Sequence, residues 1–137
     1  MEKSKPAHLI LWILAAAWFL FLYSFLPISA ASYNFLVKKT ALGLWFKRLP
    51  YFDIQIHLIE YAVPGFIVYR ALGSGMKRTH AFLLTVTCIF FIGWGEEYLQ
   101  QFVPRRAYQW TDVLWNAAGG FGGALLGVIY TRLFDDR

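Results

Sequence analysis

Apolar residues along this chain fall into four long stretches separated by shorter polar segments. We place the stretches at residues 8–25, 55–72, 81–99 and 113–132. Each approaches the roughly 20 residues that an α-helix needs to cross the hydrocarbon core of a bilayer. The second stretch is the least apolar, because it contains His57 and Glu60 on one helical face. The pattern predicts an all-α, polytopic membrane protein with four transmembrane helices in a single domain, residues 1–137.

Composition supports the same class. The 137 residues are 58% hydrophobic and 15% charged, which leaves little polar surface to cover a soluble domain. The formal net charge is +5, but the basic residues are dispersed among the loops and form no clustered basic face, so we exclude a role in nucleic-acid binding. Cys88 is the only cysteine, which excludes an intramolecular disulfide.

The segment at residues 33–49, between the first two helices, mixes aromatic side chains with Lys38, Lys39, Lys47 and Arg48. Such a composition suits a segment that lies in the headgroup layer on anionic lipid. An ordinary interfacial anchor of aromatic and basic residues has the same composition. Membrane lipids, anionic or phosphate-bearing, are the predicted partners.

Polar residues within the predicted helices are concentrated at one end of the bundle. In a four-helix arrangement, the start of helix two, the end of helix three and the start of helix four face the same side of the membrane. Charges at membrane depth are costly and usually functional. Five of the eight acidic residues lie at these three helix ends: Asp53, Glu60, Glu96, Glu97 and Asp112. The sequence therefore predicts a polar site at this end.

Helix four has a polar mouth followed by a glycine face. Asp112, Asn116, Gly119, Gly123 and Gly127 are spaced three or four residues apart, so they share one side of the helix. Small residues at this spacing let two helices approach closely, and we predict that the three glycines are helix-packing positions. Each polar residue, taken alone, is more typical of an N-terminal cap.

Two functions compete for the predicted site. In the first, Arg105 and Arg106 present guanidinium donors to the phosphate of a lipid headgroup. The other residues of this ligand-binding set are Gln100, Asp112, Asn116, Asp53 and Glu60. In the second, His57 and Glu97 act as acid and base in a membrane hydrolase or transferase that acts on a lipid phosphate.

Three further interpretations remain open at this stage. A buried network of ion pairs that fixes helix register would use the same residues. A metal ion could also be ligated by Asp53, His57, Glu60 and Glu97, but their spacing matches no recognised motif, so we predict no metal site and no cofactor. Alternatively, the chain is a non-catalytic assembly or scaffold subunit whose glycine face packs against a membrane partner or a second copy in a homo-oligomer.

Two groups of residues resemble the signature of the VanZ-like membrane protein family. The first is Glu97-x-x-Gln100-x-Phe102-x-Pro104-x-Arg106, followed by Asp112-x-x-x-Asn116-x-x-Gly119. The second is the upstream run Asp53-x-x-x-His57-x-x-x-Tyr61. Order, spacing and residue types match jointly from helix two to helix four. One position departs from the pattern, because Ile54 stands where the family often has lysine.

The resemblance implies a small multi-pass protein of the bacterial cytoplasmic membrane, with a cytoplasmic N-terminus and the polar site on the outer face. The positive-inside rule does not choose between orientations, since the two sides would hold seven and six basic residues. The family is named for a member associated with resistance to the glycopeptide teicoplanin. We therefore expect binding of an anionic cell-envelope lipid, such as a polyprenyl phosphate, and a role in glycopeptide resistance or envelope biogenesis.

Overall fold

The computed structural model describes residues 5–25, 44, 48, 51–104 and 106–135, and the side chains of 5–7, 22–25, 52 and 53 lie outside this description. The described part is all-helical and contains no strand. Its elements are α1 (Lys5–Phe25), α2 (Phe52–Gly73), α3 (Arg78–Gln100) and α4 (Trp110–Tyr130), which continues into a π-helical turn, Thr131–Asp135. The predicted interfacial segment lies outside the description except at residues 44 and 48.

Each observed helix begins three residues before the start of the corresponding apolar stretch. Polar residues and proline are tolerated there because the first N–H groups of a helix have no intrahelical acceptor. Pro6 occupies the first turn of α1, and Asp112 occupies the first turn of α4, where a negative charge is favoured by the helix dipole. Apolar periodicity alone therefore underestimates the length of these helices at their N-terminal ends.

Helices α2 and α4 form the most extensive contact in the bundle, and α3 packs against both of them. The contact is close because glycines line it. A Cβ atom built on Gly119 would lie 2.4 Å from the carbonyl oxygen of Leu58, and one built on Gly123 would lie 1.9 Å from that of Ala62. On the other helix, a Cβ on Gly65 would lie 2.4 Å from the carbonyl oxygen of Gly120. The glycine face of α4 is therefore filled by α2 of the same chain.

Helix α1 packs on α2 and is fixed at both ends of the contact. His8 Nε2 lies 2.6 Å from the carbonyl oxygen of Ala71, and Trp18 Nε1 donates to the carbonyl oxygen of Glu60 at 2.9 Å. The second bond has a local cause. Pro64, one turn after Glu60 in α2, has no N–H to donate to that carbonyl. The Trp18 indole supplies the missing donor, as neighbouring helices do for prolines in membrane bundles.

Replacing Trp18 with phenylalanine should lower the free energy of unfolding by about 1 kcal/mol, because the Glu60 carbonyl loses its donor. In a Pro64→Ala background the same change should cost less, since alanine restores the intrahelical N–H donor. Unfolding of the four proteins by denaturing detergent in micelles measures both costs. Equal costs in the two backgrounds would contradict this account of the bond.

Two of the four described helices are long and apolar enough to cross a membrane. By length and composition, the helical stretches Arg78–Gln100 and Trp110–Asp135 could cross a bilayer, whereas the first helix contributes a shorter apolar stretch, His8–Phe21. The structure therefore supports a helical protein with two candidate spans. The four-span arrangement is taken up below as a proposal.

Candidate functional site

Three helix ends meet at one end of the bundle, and each contributes polar side chains. Helices α2 and α4 begin there, and α3 ends there. The contributing side chains are His57, Glu60 and Tyr61 from α2, Glu96, Glu97 and Gln100 from α3, and Asp112 and Asn116 from α4. Four of these residues, Tyr61, Glu97, Gln100 and Asn116, are buried. We call this group the polar site.

The centre of the polar site is a histidine held between two residues of α4. His57 Nδ1 lies 2.8 Å from Asn116 Oδ1, and His57 Nε2 lies 3.5 Å from Asp112 Oδ2. Asn116 is 1% exposed, so the imidazole is supported from the interior, while the side chains of His57 and Asp112 are each about one fifth exposed. An amide oxygen can only accept a hydrogen bond, so Nδ1 of His57 carries the proton when the imidazole ring is neutral. The Nε2 lone pair then faces the Asp112 carboxylate.

Asn116 has room for this role because the facing position on α3 is a glycine. A Cβ atom on Gly93 would lie 2.9 Å from Asn116 Cβ and 3.1 Å from the Tyr61 ring. The Nδ2 atom of Asn116 is buried and has no hydrogen-bond partner in the described part of the chain. Within the described part of the chain, the side-chain hydrogen bond of this amide is therefore the one that its oxygen makes with His57.

Glu97 is fully buried at the end of α3, and its two carboxylate oxygens have different partners. Gln100 Nε2 donates to Oε1 at 3.1 Å, and the backbone N–H of Gln109 donates to Oε2 at 3.4 Å. Gln109 is the N-cap residue of α4, so this carboxylate joins the end of α3 to the start of α4. Among the described side chains, no Lys, Arg or His nitrogen lies within 4.0 Å of it.

A second carboxylate of α3 faces α2. The Tyr61 hydroxyl donates to Glu96 Oε2, and Tyr61 itself is fully buried. Sequence reasoning counted Glu96 among the acidic residues at this end and Tyr61 in the upstream motif, but gave neither a binding or catalytic role. Their helical positions contained a signal, because Tyr61 lies one turn beyond His57 and Glu96 lies one turn before Gln100.

The predicted ligand-binding arginines have different outcomes. Arg106 is partly buried and lies near enough to Glu60, Glu96 and Glu97 for Coulombic attraction to each. Among the described side chains, none forms an ion pair with it within 4.0 Å. Arg105 and the side chain of Asp53 lie outside the described residues. Of the two arginines, the structure therefore places only Arg106 beside the polar site.

Formal charge within the described polar site is predominantly negative. Four carboxylates, those of Glu60, Glu96, Glu97 and Asp112, are accompanied by one guanidinium, that of Arg106. Buried charges in proteins are normally paired or bound to metal ions. The arrangement can therefore hold a cation among the carboxylates, and it can present Arg106 to an anion at the edge.

The three glycines predicted for helix packing lie below the polar site along α4. Gly119 and Gly123 face the backbone of α2, and a Cβ atom on Gly127 would lie 2.4 Å from the Tyr69 ring. All three are buried. They fix the distance between α2 and α4, and hence the distance between His57 on one helix and Asp112 and Asn116 on the other.

These features define an all-helical protein with a buried polar site enclosed by three helix ends. Comparisons with protein-family models, with curated proteins and with solved structures each gave no match. The function is therefore argued from the site itself.

Proposed function

We propose that this chain is a bacterial inner-membrane protein whose four helices all span the bilayer. In this proposal, it binds the phosphate of an anionic cell-envelope lipid at the polar site. Arg106 provides the main contact to the phosphate, and the surrounding carboxylates and amides hold the site in shape. The N-terminus is cytoplasmic and the polar site opens toward the outer face.

The distribution of side chains supports the membrane location. Large apolar residues cover the outside of the bundle, including Leu20 at 71% exposed, Phe91 at 58% and Leu126 at 57%. Glu97 and Asn116, by contrast, are at most 1% exposed. Exposed apolar surface on this scale needs a covering in a soluble protein, whereas polar residues that face the interior of a helix bundle are typical of functional sites in membranes.

The assignment to phosphate rests on the surroundings of the Arg106 side chain. It is attracted by three carboxylates, yet no described side chain forms a close ion pair with it. Within the described part of the chain its donors thus have no close anionic partner, and a planar guanidinium can bind two phosphate oxygens at once. Arg106 lies in the segment before α4, beside the polar site. In the proposed arrangement a headgroup at the membrane surface can reach it there.

The resemblance to VanZ-like proteins supports the same proposal, since Arg106, Asp112, Asn116 and Gly119 are motif positions. It is the basis for proposing the bacterial inner membrane, the orientation, and a role in glycopeptide resistance or envelope biogenesis. A polyprenyl phosphate has the chemistry that this site would recognise: one phosphate at the interface and an apolar chain in the bilayer.

A phosphate-bearing lipid should bind the purified protein in zwitterionic micelles, and Arg106→Ala should weaken that binding about 10- to 100-fold. This corresponds to losing one charge-assisted contact of about 1.5–3 kcal/mol. The probe is short-chain phosphatidic acid, whose phosphate monoester is shared with polyprenyl phosphates. Short-chain phosphatidylcholine serves as the reference lipid, and titration calorimetry gives the affinities.

The matched control is Arg132→Ala. Arg132 lies beyond the other end of α4, where it lines a separate cavity with Arg78, Thr79, Phe82, Leu125 and Val128. Removing it deletes the same charge without touching the polar site, so phosphatidic acid binding should persist. If Arg132→Ala abolished binding while Arg106→Ala left it unchanged, the lipid would bind at the opposite end and the proposal would fail.

Two alternatives to lipid binding are an assembly subunit and a membrane hydrolase or transferase, and the structure bears on each of them differently. Assembly through the glycine face of α4 would require that face to be free, but α2 of the same chain occupies it. A hydrolase or transferase remains compatible with the position of His57 beside Asp112. The Thr111 hydroxyl donates to Asp112 Oδ1 at 3.4 Å, so one hydroxyl group lies beside that pair. A lipid found to bind would be the first substrate to test.

A further inference from the structure

We infer that His57, Glu97 and Asp112 form a binding site for one divalent metal ion of the Zn²⁺ type. The sequence offers His57 and Glu97 as possible ligands, together with Asp53 and Glu60, but their spacing matches no recognised motif and predicts no metal site. The structure brings Asp112 beside His57 and Glu97. The inference goes beyond the proposed binding of a lipid headgroup and rests on separate observations.

Geometry provides the first observation. Each of the three residues offers one ligand atom, and these atoms all lie within 4.8 Å of one another. Two ligands on one tetrahedral Zn²⁺, each about 2.0–2.1 Å from the metal, are about 3.3 Å apart. The distance between His57 Nε2 and Asp112 Oδ2 is 3.5 Å, so this pair is already at that separation. A shift of up to about 1.5 Å by the Glu97 carboxylate would complete a three-ligand set.

Orientation of the imidazole provides the second observation. Asn116 is buried and accepts the proton of His57 Nδ1 through Oδ1. In the neutral ring this bond leaves the Nε2 lone pair toward a carboxylate, and either a second proton or a metal ion between these two acceptors would satisfy both. Metal-binding histidines are typically fixed in this way, by a hydrogen bond from the other ring nitrogen to an oxygen acceptor.

The buried carboxylate provides the third observation. Glu97 is fully buried, and within the described part of the chain no basic nitrogen lies within 4.0 Å of its oxygens. Gln100 and the Gln109 amide hold the carboxylate in place but bring no positive charge. A buried carboxyl group either keeps its proton, or is ionised beside an opposite charge or a metal ion. A divalent ion would supply that charge to Glu97 and Asp112 together.

The ligand types indicate which ion fits. An imidazole nitrogen with two carboxylates suits Zn²⁺ better than Mg²⁺ or Ca²⁺, which prefer oxygen ligands alone. Three protein ligands also leave a coordination position open for water or another oxygen ligand. If the proposed function holds, that position faces the same mouth as Arg106, and a phosphate oxygen could occupy it.

Zn²⁺ binding to the full-length protein in detergent tests the inference without any lipid. The protein is first treated with a chelator and then titrated with Zn²⁺. The amount of bound zinc is measured by elemental mass spectrometry. We expect one Zn²⁺ per chain in the wild type. The near-isosteric variants His57→Gln, Glu97→Gln and Asp112→Asn should each bind at least 10- to 100-fold more weakly. Asn116→Ala should also weaken binding, because the imidazole loses its support.

Two controls separate this site from adventitious binding and from the headgroup proposal. His80→Gln removes an exposed histidine at the start of α3, at the other end of the helix, and should leave Zn²⁺ binding unchanged. Arg106→Ala should weaken lipid binding but not Zn²⁺ binding, because it removes a positive charge that lies near Glu97. The two proposals can therefore fail independently. Thermal unfolding in the same detergent confirms that each variant is folded.

X-ray absorption of the Zn²⁺-loaded protein gives a readout of the ligands themselves. We expect one imidazole nitrogen and oxygen neighbours at about 2.0–2.2 Å. Absence of saturable Zn²⁺ binding by the folded wild type would overturn the inference. Unchanged binding in His57→Gln, or a shell without nitrogen, would overturn it equally.

Discussion

Gly123→Ala is expected to destabilise the protein by more than about 3 kcal/mol, at the upper end of the usual cost of overpacking a core. The added methyl group would lie 1.9 Å from the carbonyl oxygen of Ala62, on the backbone of α2. The backbone of α2 cannot rotate away from the added methyl group as a side chain could, so α2 and α4 must move apart. The free energy of unfolding in detergent micelles measures the loss.

The neighbouring glycine provides the matched control. A Cβ atom on Gly122 would meet nothing within 4 Å, so Gly122→Ala adds the same methyl group to open space. It should leave stability unchanged or raise it by up to about 1 kcal/mol, because alanine is the better helix former. Similar losses in the two variants would show that the glycine effect is intrinsic to α4 and does not arise from contact with α2.

Tyr69→Ala is expected to lower the free energy of unfolding by at least about 2 kcal/mol. It removes a buried aromatic ring from the half of the bundle farther from the polar site. Tyr69 is 1% exposed and packs with Ala81 and Ala124 beside the small position Gly127. Removing the ring leaves a cavity between α2, α3 and α4. Denaturing-detergent titration, followed by circular dichroism, measures the change in stability.

Tyr69→Phe separates the ring from its hydroxyl group. The hydroxyl is buried and has no hydrogen-bond partner in the described part of the chain. Removing it should therefore be neutral or slightly stabilising, since a buried polar group without a partner is itself a cost. If Tyr69→Phe were as damaging as Tyr69→Ala, the hydroxyl would have an essential partner and the packing account would be contradicted.

Much of the architecture follows from the sequence because helix positions depend on local pattern. Apolar stretches located the four helices, and the helix ends that carry Glu60, Glu97 and Asp112 could be assigned to one end of the bundle. The starts of the helices were each missed by three residues, since polar residues in a first turn do not interrupt a helix. Only two helices could be supported as candidate membrane spans by length and composition.

The pairings within the site could not be derived in the same way. Whether Tyr61 faces Glu96, or Asn116 faces His57, depends on how each helix is rotated about its axis, and periodicity within one helix does not determine that. The glycines on α4 posed the same problem, because spacing predicts a close partner without naming it. The structure identifies that partner as α2, through Leu58 and Ala62.

Glycine packing and site chemistry are connected in this fold. Gly119 and Gly123 bring α2 and α4 close together, and Gly93 leaves space for the amide of Asn116. His57 can therefore contact Asn116 and Asp112 from the opposite helix. Pro64 and Trp18 add a contact from α1 at the carbonyl of Glu60. Small residues thus set distances that the polar residues alone do not determine.

The central claim is that the polar site holds a phosphate-bearing lipid through Arg106. Native mass spectrometry of the protein extracted with its own lipids tests it most directly, with wild type, Arg106→Ala and Arg132→Ala compared. The account predicts that wild type and Arg132→Ala retain one phosphate-bearing lipid and that Arg106→Ala loses it. Retention of the same lipid by Arg106→Ala, or a defined oligomer without bound lipid in all three proteins, would contradict the account.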